Sequence, residues 1–481
     1  MTTTSFWEKI DMNLKFFSTM DRRVIPFEPI NAKEVGLYTC GPTVYNYAHI
    51  GNFRAYTFED ILRRTLEYAG YKVKQVMNLT DVDDKTIRDS KAAGVPLREF
   101  TQKYKQAFFE DVKTLNIEPA AVYPAATDHI KEMIALIQVL MDKGFAYQAE
   151  DKCIYFSIAK FPDYGKLAHI DRDNQRAGVR INTDEYAKDS VADFALWKAW
   201  DEADGDVAWD SPWGKGRPGW HIECSAMSSK YLGDRFDLHT GGIDNMFPHH
   251  EDEIAQSEAA SGHKWVNCWM HCEHLMVDGT KMSKSLGNFY TLRDLLAKGW
   301  TGREIRWVLI GAHYRKKLNF TLEMLAQARE TLNRFDELFR RLKGITSAGD
   351  DLPAQEAVAM AKERFDASIA DDLNISGALA ALFDLSRQAN KLADEGRLSA
   401  AGAKAILDAF RDFDRVTGAL NVDAAPAAEA IPAEVETLAQ QRADARKRKD
   451  FAESDRLRAE IGKLGYTIED APGGAYRLKK N

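Results

Sequence analysis

The chain has 481 residues, 45% of them hydrophobic and 29% charged, which is material for about three domains with well-formed cores and solvated surfaces. A formal net charge of −8 argues against a protein that coats nucleic acid nonspecifically, while leaving room for a local basic footprint on a polyanion. No run approaches the ~18 apolar residues of a membrane span. The N-terminal "MTTTSFWEKIDMNLKFF" lacks a basic start followed by an apolar block, so no export signal and no membrane association are expected. Cys40, Cys153, Cys224, Cys268 and Cys272 are odd in number and scattered, unlike a disulfide framework. The expectation is a reduced, cytoplasmic protein in which a working cysteine is a thiolate or a metal ligand.

In chain order, "EVGLYTC" (34–40) reads as a buried strand, and Phe58, Ile61, Leu62 and Leu66 lie at helical spacing between about Gly51 and Ala69, with Gly70 placed as a C-terminal cap. "YKVKQVMNLT" (71–80) returns as a second strand. Strand, helix and strand in that length make a βαβ unit, hence a parallel sheet with ligands at the strand C-terminal ends. Alternation resumes at "RFDLHTGG" (235–242), "WVNCWMHCEHLMV" (265–277) and "REIRWVLIGAHY" (303–314). The region from about 125 to 218 has short strands of its own, such as "KCIYFSI" (152–158), and reads as an insertion between two halves of the sheet. From Thr321 the pattern is helical only: Leu325, Ala328, Leu332, Phe335, Phe339 and Leu342 step by three and four, as do Ile406, Phe410, Phe413 and Val416, which is the pattern of a bundle. The Ala/Pro-rich 421–434 reads as a linker to a small module at 435–481, whose segment 442–465 carries the consecutive bases Arg446 to Lys449.

Two motifs suit a polyphosphate. "HIGN" (49–52) opens the first crossover helix, whose N-terminus offers backbone N–H groups and a positive dipole end. His49 can donate to a phosphate oxygen, and Gly51 lets a flat purine approach the backbone. In "KMSKSLGN" (281–288), Lys281 and Lys284 on a loop that closes can neutralise charge as pyrophosphate leaves. Alone, the first is a common chance run and the second a basic loop; their occurrence in this order on βαβ halves removes most of the weight of those readings.

"FPHHEDEIAQS" (247–257) raises a third possibility, a metal. Pro248 fits the first turn of a helix, so His249 and Glu253, four apart, project from one face. Two further ligands must come from afar to complete a zinc tetrahedron. Two rival sets exist. "CWMHCEH" offers Cys268, His271, Cys272 and His274, although in a strand His271 faces away from the other three. "TDVDDK" could hold a cation through Asp81, Asp83 and Asp84, but it lacks the Gly and distal Glu of a calcium loop, which favours helix capping and ion pairing.

"HIGN" and "KMSKS" resemble the signature motifs of class I aminoacyl-tRNA synthetases. "YTCGPTVYNYAHIGN", "NLTDVDDK", "DFALWK", "GRPGWHIECSAM", "GGIDNMFPHHEDEIAQSEA" and "HYRKKLNFT" together closely resemble the cysteinyl-tRNA synthetase family over nearly the whole chain. The resemblance implies a fold: a Rossmann-like doubly wound parallel sheet in an α/β catalytic domain (1–320, with the insertion at about 125–218 and a linking region at about 265–320), a helical anticodon-side bundle (321–420), a linker (421–434) and a small anticodon module (435–481). It also implies a reaction, in which L-cysteine attacks the α-phosphate of Mg2+-ATP and passes from cysteinyl adenylate to the terminal ribose of tRNA-Cys. In the family the His of "HIGN" and both Lys of "KMSKS" act on the triphosphate, here His49, Lys281 and Lys284. Asn52 stands where the class has a second histidine. The implied ligands of one Zn2+ are Cys40, Cys224, His249 and Glu253, with Thr80 and Trp220 lining the cysteine pocket; Trp220 also fits ordinary core packing. The ion would read the substrate thiolate, because apolar pockets separate near-isosteres such as serine by only about 10²-fold. Tyr476 stands where the family often has Trp, and the resemblance implies a monomer. Two other readings remain: a cysteine–amino-sugar ligase of the mycothiol type, which lacks an extended anticodon-binding end, and a non-catalytic zinc-containing RNA-binding protein. A zinc hydrolase finds no HExxH helix to support it.

Overall fold

Two βαβ crossovers, separated by almost 160 residues of sequence, build one sheet in the computed structural model, which describes residues 12–170, 193–282, 287–423, 432–448, 450–470 and 476–480. The first runs from β1 (Glu34–Thr39) through α1 (Ile50–Tyr68) to β2 (Lys72–Met77). The second half contributes α2 (Trp220–Leu232), then β3 (Phe236–Gly242), α3 (Glu251–Ser261) and β4 (Val266–Cys272). The strand order is β4-β3-β1-β2 and every pairing is parallel. The winding direction therefore reverses between β1 and β3, where an open sheet leaves a crevice beyond its strand C-termini.

β1 is buried on both faces, which is why its sequence does not alternate. Val35 and Leu37 pack with Phe58, Leu62 and Leu66 of α1, while Tyr38 packs on the other side with Trp265 and Trp269. α1 ends at Tyr68, two residues before Gly70, whose φ of 91° is a left-handed conformation that glycine adopts without strain.

The inserted region is a four-stranded antiparallel sheet of 146–148, 154–156, 194–199 and 216–218, backed by the helix Ile130–Asp142. Among the side chains that hold it to the sheet domain is Glu251, whose buried carboxylate accepts the N–H groups of Gly165, Leu167 and Ala168 at 2.8, 3.0 and 2.9 Å. After a small three-stranded sheet (275–277, 280–281, 318–320) come the bundle helices Leu322–Lys343, Leu352–Ala370, Ile375–Asp394 and Ala400–Thr417. Their stripes of Leu325, Leu332, Phe335 and Phe339 and of Ile406, Phe410, Phe413 and Val416 are buried. Residues 421–481 form a separate unit of two helices (Ala433–Lys447 and Phe451–Lys463) and a hairpin (Tyr466–Asp470 with Tyr476–Lys480) around Val435, Ala439, Ile461, Tyr466 and Ile468. No helix among the described residues is long and apolar enough to cross a membrane.

Within residues 1–420 the fully buried Arg306 fastens sheet domain to bundle. Its guanidinium donates to Thr417 O (2.7 Å), to Leu115 O and Asn116 O (both 3.0 Å) and to Asp60 Oδ2 (2.5 Å). Removing one partner of a buried pair strands the other, at about 3–5 kcal/mol. Arg306→Ala is expected to lower the urea midpoint by a corresponding amount; an unchanged midpoint would show that these bonds contribute nothing net.

Candidate metal centre and nucleotide site

Cys40 follows the last residue of β1, and its N–H donates to Thr240 O of β3 at 3.3 Å, so the thiol sits at the reversal point of the sheet. The next residue must be glycine, because a Cβ on Gly41 would lie 1.8 Å from Asn78 O. Cys224 lies in the second turn of α2, and Glu253 in the first turn of α3. Pro248 does not open an α-helix as expected. Met246–His250 form a wider π-type turn and α3 begins only at Glu251. The reason is local: proline pushes its predecessor out of the helical region, and Phe247 is extended (φ −141°, ψ 131°). His249 and Glu253 still share a face, with Nε2 and Oε1 3.0 Å apart.

One ligand atom from each of Cys40, Cys224, His249 and Glu253 lies within 4.8 Å of all the others, and all four residues are buried. His249 Nδ1 faces His221 Nδ1 (2.8 Å), and His221 Nε2 faces Asp252 Oδ2 (3.2 Å). The carboxylate takes the proton of His221 Nε2, which leaves His221 Nδ1 to accept from His249 Nδ1–H. That tautomer, assigned from the network, directs Nε2 of His249 to the centre, where Cys224 Sγ is 3.6 Å away and where loss of the Nε2 proton frees a lone pair. Glu253 Oε1 is buried there without a hydrogen bond, as an atom awaiting a Lewis acid would be. Two thiols, an imidazole and a carboxylate oxygen form a donor set that fits zinc.

Electrostatics divide the two thiols. Burial pushes Cys40 well up, whereas Cys224, although buried, is brought down to about 6 by the Cys40 and His249 hydrogen bonds. Burial opposes the charge of His249, but Glu253 and Cys224 push it up to about 10. Burial and the neighbouring imidazoles hold His250 well below the usual histidine range.

Trp220 stacks on His249, with ring centroids 4.2 Å apart at 22°, and is 42% exposed, which corrects the core-packing alternative. Thr80 is buried; its hydroxyl donates to Glu223 Oε2 (2.8 Å) and accepts from Asn78 Nδ2 (3.2 Å).

At the start of α1, His49 Nδ1 accepts Asn52 N–H and Asn52 Oδ1 accepts His49 N–H, both at 3.1 Å. This reciprocal cap, together with Ile50 N–H donating to Tyr290 O at 3.0 Å, corrects the expectation of a helix start with freely available N–H groups. A Cβ on Gly51 would meet His49 Nδ1 and Met282 Cε, each at 2.9 Å, so glycine lets the imidazole fold back over the helix and the "KMSKS" segment lie against it. Lys281 is exposed at the end of its strand. Lys284 lies outside the described residues, as does Lys449 of the basic run.

Neither rival metal set assembles. Cys268 and Cys272 point into an apolar cluster, where burial pushes both thiols up to about 12, and His271 turns the other way to His250. Asp81 pairs with Lys105, Asp83 caps the helix Asp84–Ala93, and Asp84 pairs with Lys198 and Arg217. Sequence reasoning missed His221, Asp252, His239 and Glu223. Nothing in local spacing marks them, since their partners lie on other elements.

The "HIGN" helix start and the metal-ligand cluster thus both lie at the C-terminal edge of one doubly wound sheet, which is the arrangement of a class I aminoacyl-tRNA synthetase. The family model for the tRNA synthetases class I (C) catalytic domain matches residues 26–330, the DALR domain 364–421, and the cysteinyl-tRNA ligase anticodon binding domain 428–476. The cysteine–tRNA ligase of Protochlamydia amoebophila is 51% identical over 470 residues, covering 97% of this chain and 98% of that one. That of Brachyspira hyodysenteriae is 50% identical over 475 residues, covering 97% and 100%. The chain belongs to the cysteine–tRNA ligase family. Solved structures share the fold: Mycobacterium tuberculosis methionyl-tRNA synthetase in complex with methionyl-adenylate gives a TM-score of 0.60 at 16% identity over 80% of this chain and 92% of that one. The LeuRS of Agrobacterium radiobacter K84, in a ternary complex with tRNA, gives 0.58 at 12% identity over 81% and 85%.

Metal ligation needs deprotonated donors. With Cys40 raised, His249 near 10, Cys224 near 6 and Glu253 held low, metal uptake near neutral pH is expected to release about two protons, from Cys40 and His249. Metal affinity then rises with pH until both Cys40 and His249 have lost their protons. Calorimetry in buffers of different ionisation enthalpy measures the release, and a value near zero would contradict this protonation pattern.

Proposed function

We propose that the chain activates L-cysteine with ATP and transfers it from cysteinyl adenylate to the 3′-terminal ribose of tRNA-Cys. The convergence of Cys40, Cys224, His249 and Glu253 at the reversal point of the sheet carries this reading. Zinc held by these four supplies a Lewis acid that takes a thiolate in strong preference to the hydroxyl of serine. Trp220 holds the His249 ring in its ligating orientation. The Thr80 hydroxyl, its hydrogen committed to Glu223, has a lone pair left for a donor such as the ammonium group of the amino acid.

Because His49 Nδ1 accepts the capping bond, its proton sits on Nε2, which donates to the triphosphate. The backbone N–H of Asn52 fixes that tautomer, and Gly51 gives the ring and the purine room. Lys281 and Lys284 neutralise the departing pyrophosphate, and Mg2+ accompanies ATP. Residues 1–320 perform this chemistry. The bundle 321–420 and the module 435–481, joined by 421–434, hold the anticodon side of the tRNA, and the DALR and anticodon-binding matches favour tRNA over an amino-sugar acceptor. Tyr476 packs against the module's own core, and its hydroxyl lies 3.5 Å from Gln440, which restricts how its ring meets a base. A monomer is proposed on the family resemblance alone, and a reducing cytoplasm on the scattered free cysteines.

The deciding variant is Cys224→Ser. It is expected to lose the metal and to lower cysteine-dependent ATP–pyrophosphate exchange by at least about 100-fold, the upper end of what loss of an outer-shell partner costs. Normal exchange in metal-free Cys224→Ser protein would overturn the substrate-reading role. His49→Ala is expected to lower the exchange rate by about 10²–10³-fold with metal content unchanged; wild-type exchange in that variant would remove His49 from the chemistry.

A further inference from the structure

A cleft between α1 and the start of a bundle helix holds two polar groups that the proposed chemistry leaves unused. Arg54, Thr57, Phe58 and Ile61 step by three and four along α1, so one face of that helix forms one wall. Ile310, at the end of the helix Gly302–Ile310, and Ile375, at the start of Ile375–Asp394, stand across from it. The free space is about 270 Å³, part of it open to solvent. Arg54 and Thr57 are only 3% and 1% exposed, yet Arg54 Nε and Thr57 Oγ1 are buried without a hydrogen-bond partner.

Helix capping explains part of Arg54. Its Nη1 donates to Leu309 O, and its Nη2 to Ala312 O (3.0 Å) and His313 O (2.9 Å), which closes the C-terminal end of the helix Gly302–Ile310. Capping leaves the Nε–H over, and it leaves the charge. Arg64, Arg217 and Arg306 are also buried, and each holds a carboxylate: Asp60, Asp204 and again Asp60. Arg54 holds none among the described residues, since the groups it donates to are neutral carbonyls. Burial pulls its pKa down, opposed by the Cys272 thiol, which burial itself pushes up to about 12. A buried cation with a spare N–H, a spare hydroxyl one turn on and apolar walls beyond them make a receptor for an anion with an apolar body.

We propose that this cleft binds a small monocarboxylate with a compact apolar body and no ammonium group. One carboxylate oxygen accepts from Arg54 Nε–H and the other from the Thr57 hydroxyl. Solvent reaches neither donor, so the guest gains both bonds without displacing water from them. No carboxylate lines the walls, which leaves an ammonium group without a counter-ion and disfavours amino acids. At ~30 Å³ for each water-sized group, the space limits the guest to fewer than about nine heavy atoms.

The test is calorimetric titration of the full-length protein with isovalerate and with benzoate, alongside valine, isopentyl alcohol and inorganic phosphate. One equivalent of carboxylate binds, and the other three compounds do not bind at the same concentration. Thr57→Val keeps the shape of the side chain but not its hydroxyl; it weakens carboxylate binding about 10- to 100-fold and leaves cysteine-dependent ATP–pyrophosphate exchange unchanged. Thr57→Ser restores the binding. Wild-type protein that binds neither carboxylate overturns the proposal, and that measurement needs no variant to fold. Undiminished binding by Thr57→Val places the probe elsewhere and overturns it too. Valine or isopentyl alcohol binding as tightly as isovalerate, or phosphate competing with it, overturns the ligand class.

Discussion

Everything at the site depends on the parallel pairing of β1 with β3. Thr39 stands opposite Thr240, and Cys40 N–H reaches Thr240 O, which joins two halves of the sheet some 200 residues apart in sequence. In a parallel ladder a one-residue slip turns every side chain to the other face. Such a slip would carry the Cys40 sulfur away from α2 and α3 and send His239 into the layer packed on α1. The register is held by bulk on both sides: Leu37 against the α1 layer and Tyr38 against Phe236, Trp265 and Trp269. The apolar core therefore sets the coordinates of the polar centre.

That centre is expensive to bury. His221, His239, His249, His250 and His271 are all buried, with Cys40, Cys224, Asp252 and Glu253 among them. Each such group costs stability unless it is paired. The structure meets the cost by running hydrogen-bonded lines outward, one from Cys40 through His250 and His271 to Thr19, another from His249 through His221 to Asp252. Asp252 in turn accepts from Tyr164 OH, and its neighbour Glu251 accepts three backbone N–H groups of residues 165–168. The inserted region is thus fastened within two residues of a proposed ligand, so disorder in that loop would reach the centre at once.

What the sequence could show was what is local. The α1 stripe, the bundle stripes, the βαβ order and the one-face placement of His249 and Glu253 follow from periodicity and spacing, and the structure contains all of them. Asp83 as a helix cap was legible for the same reason, because the Asp83–Thr86 spacing is itself the capping box. What was not legible depends on contacts across elements. His239 reads as one more residue of a buried strand, and His221 as a helix residue beside a tryptophan. Their roles come from β3 facing α3 and from α2 facing the turn before it. The resemblance supplied Cys40 and Cys224 as ligands; spacing alone left the choice among three cysteine- or carboxylate-rich stretches open until the convergence of ligand atoms separated them. The late start of α3 was hidden because Pro248 suits a helix N-terminus in general, whereas here its effect on Phe247 prevails.

In the proposed nucleotide site, the cap on α1 changes how the triphosphate is held. A helix start usually binds phosphate through its first N–H groups. Here Ile50 N–H is given to Tyr290 O and Asn52 N–H to His49 Nδ1, which leaves at most that of Gly51 from the first turn. The work of the backbone passes to a side chain: the bond that removes Asn52 N–H from use is the one that places the His49 proton on Nε2. A bare amide is fixed in the helix, whereas in the proposed reading an imidazole donor follows the triphosphate as its geometry changes; the Ile50–Tyr290 backbone bond ties the helix start to the segment that follows "KMSKS". The start of α1 and the segment after "KMSKS" are therefore joined by a backbone bond one residue from the cap, and Asn52, the departure from the class pattern, is the residue that makes the His49 cap reciprocal.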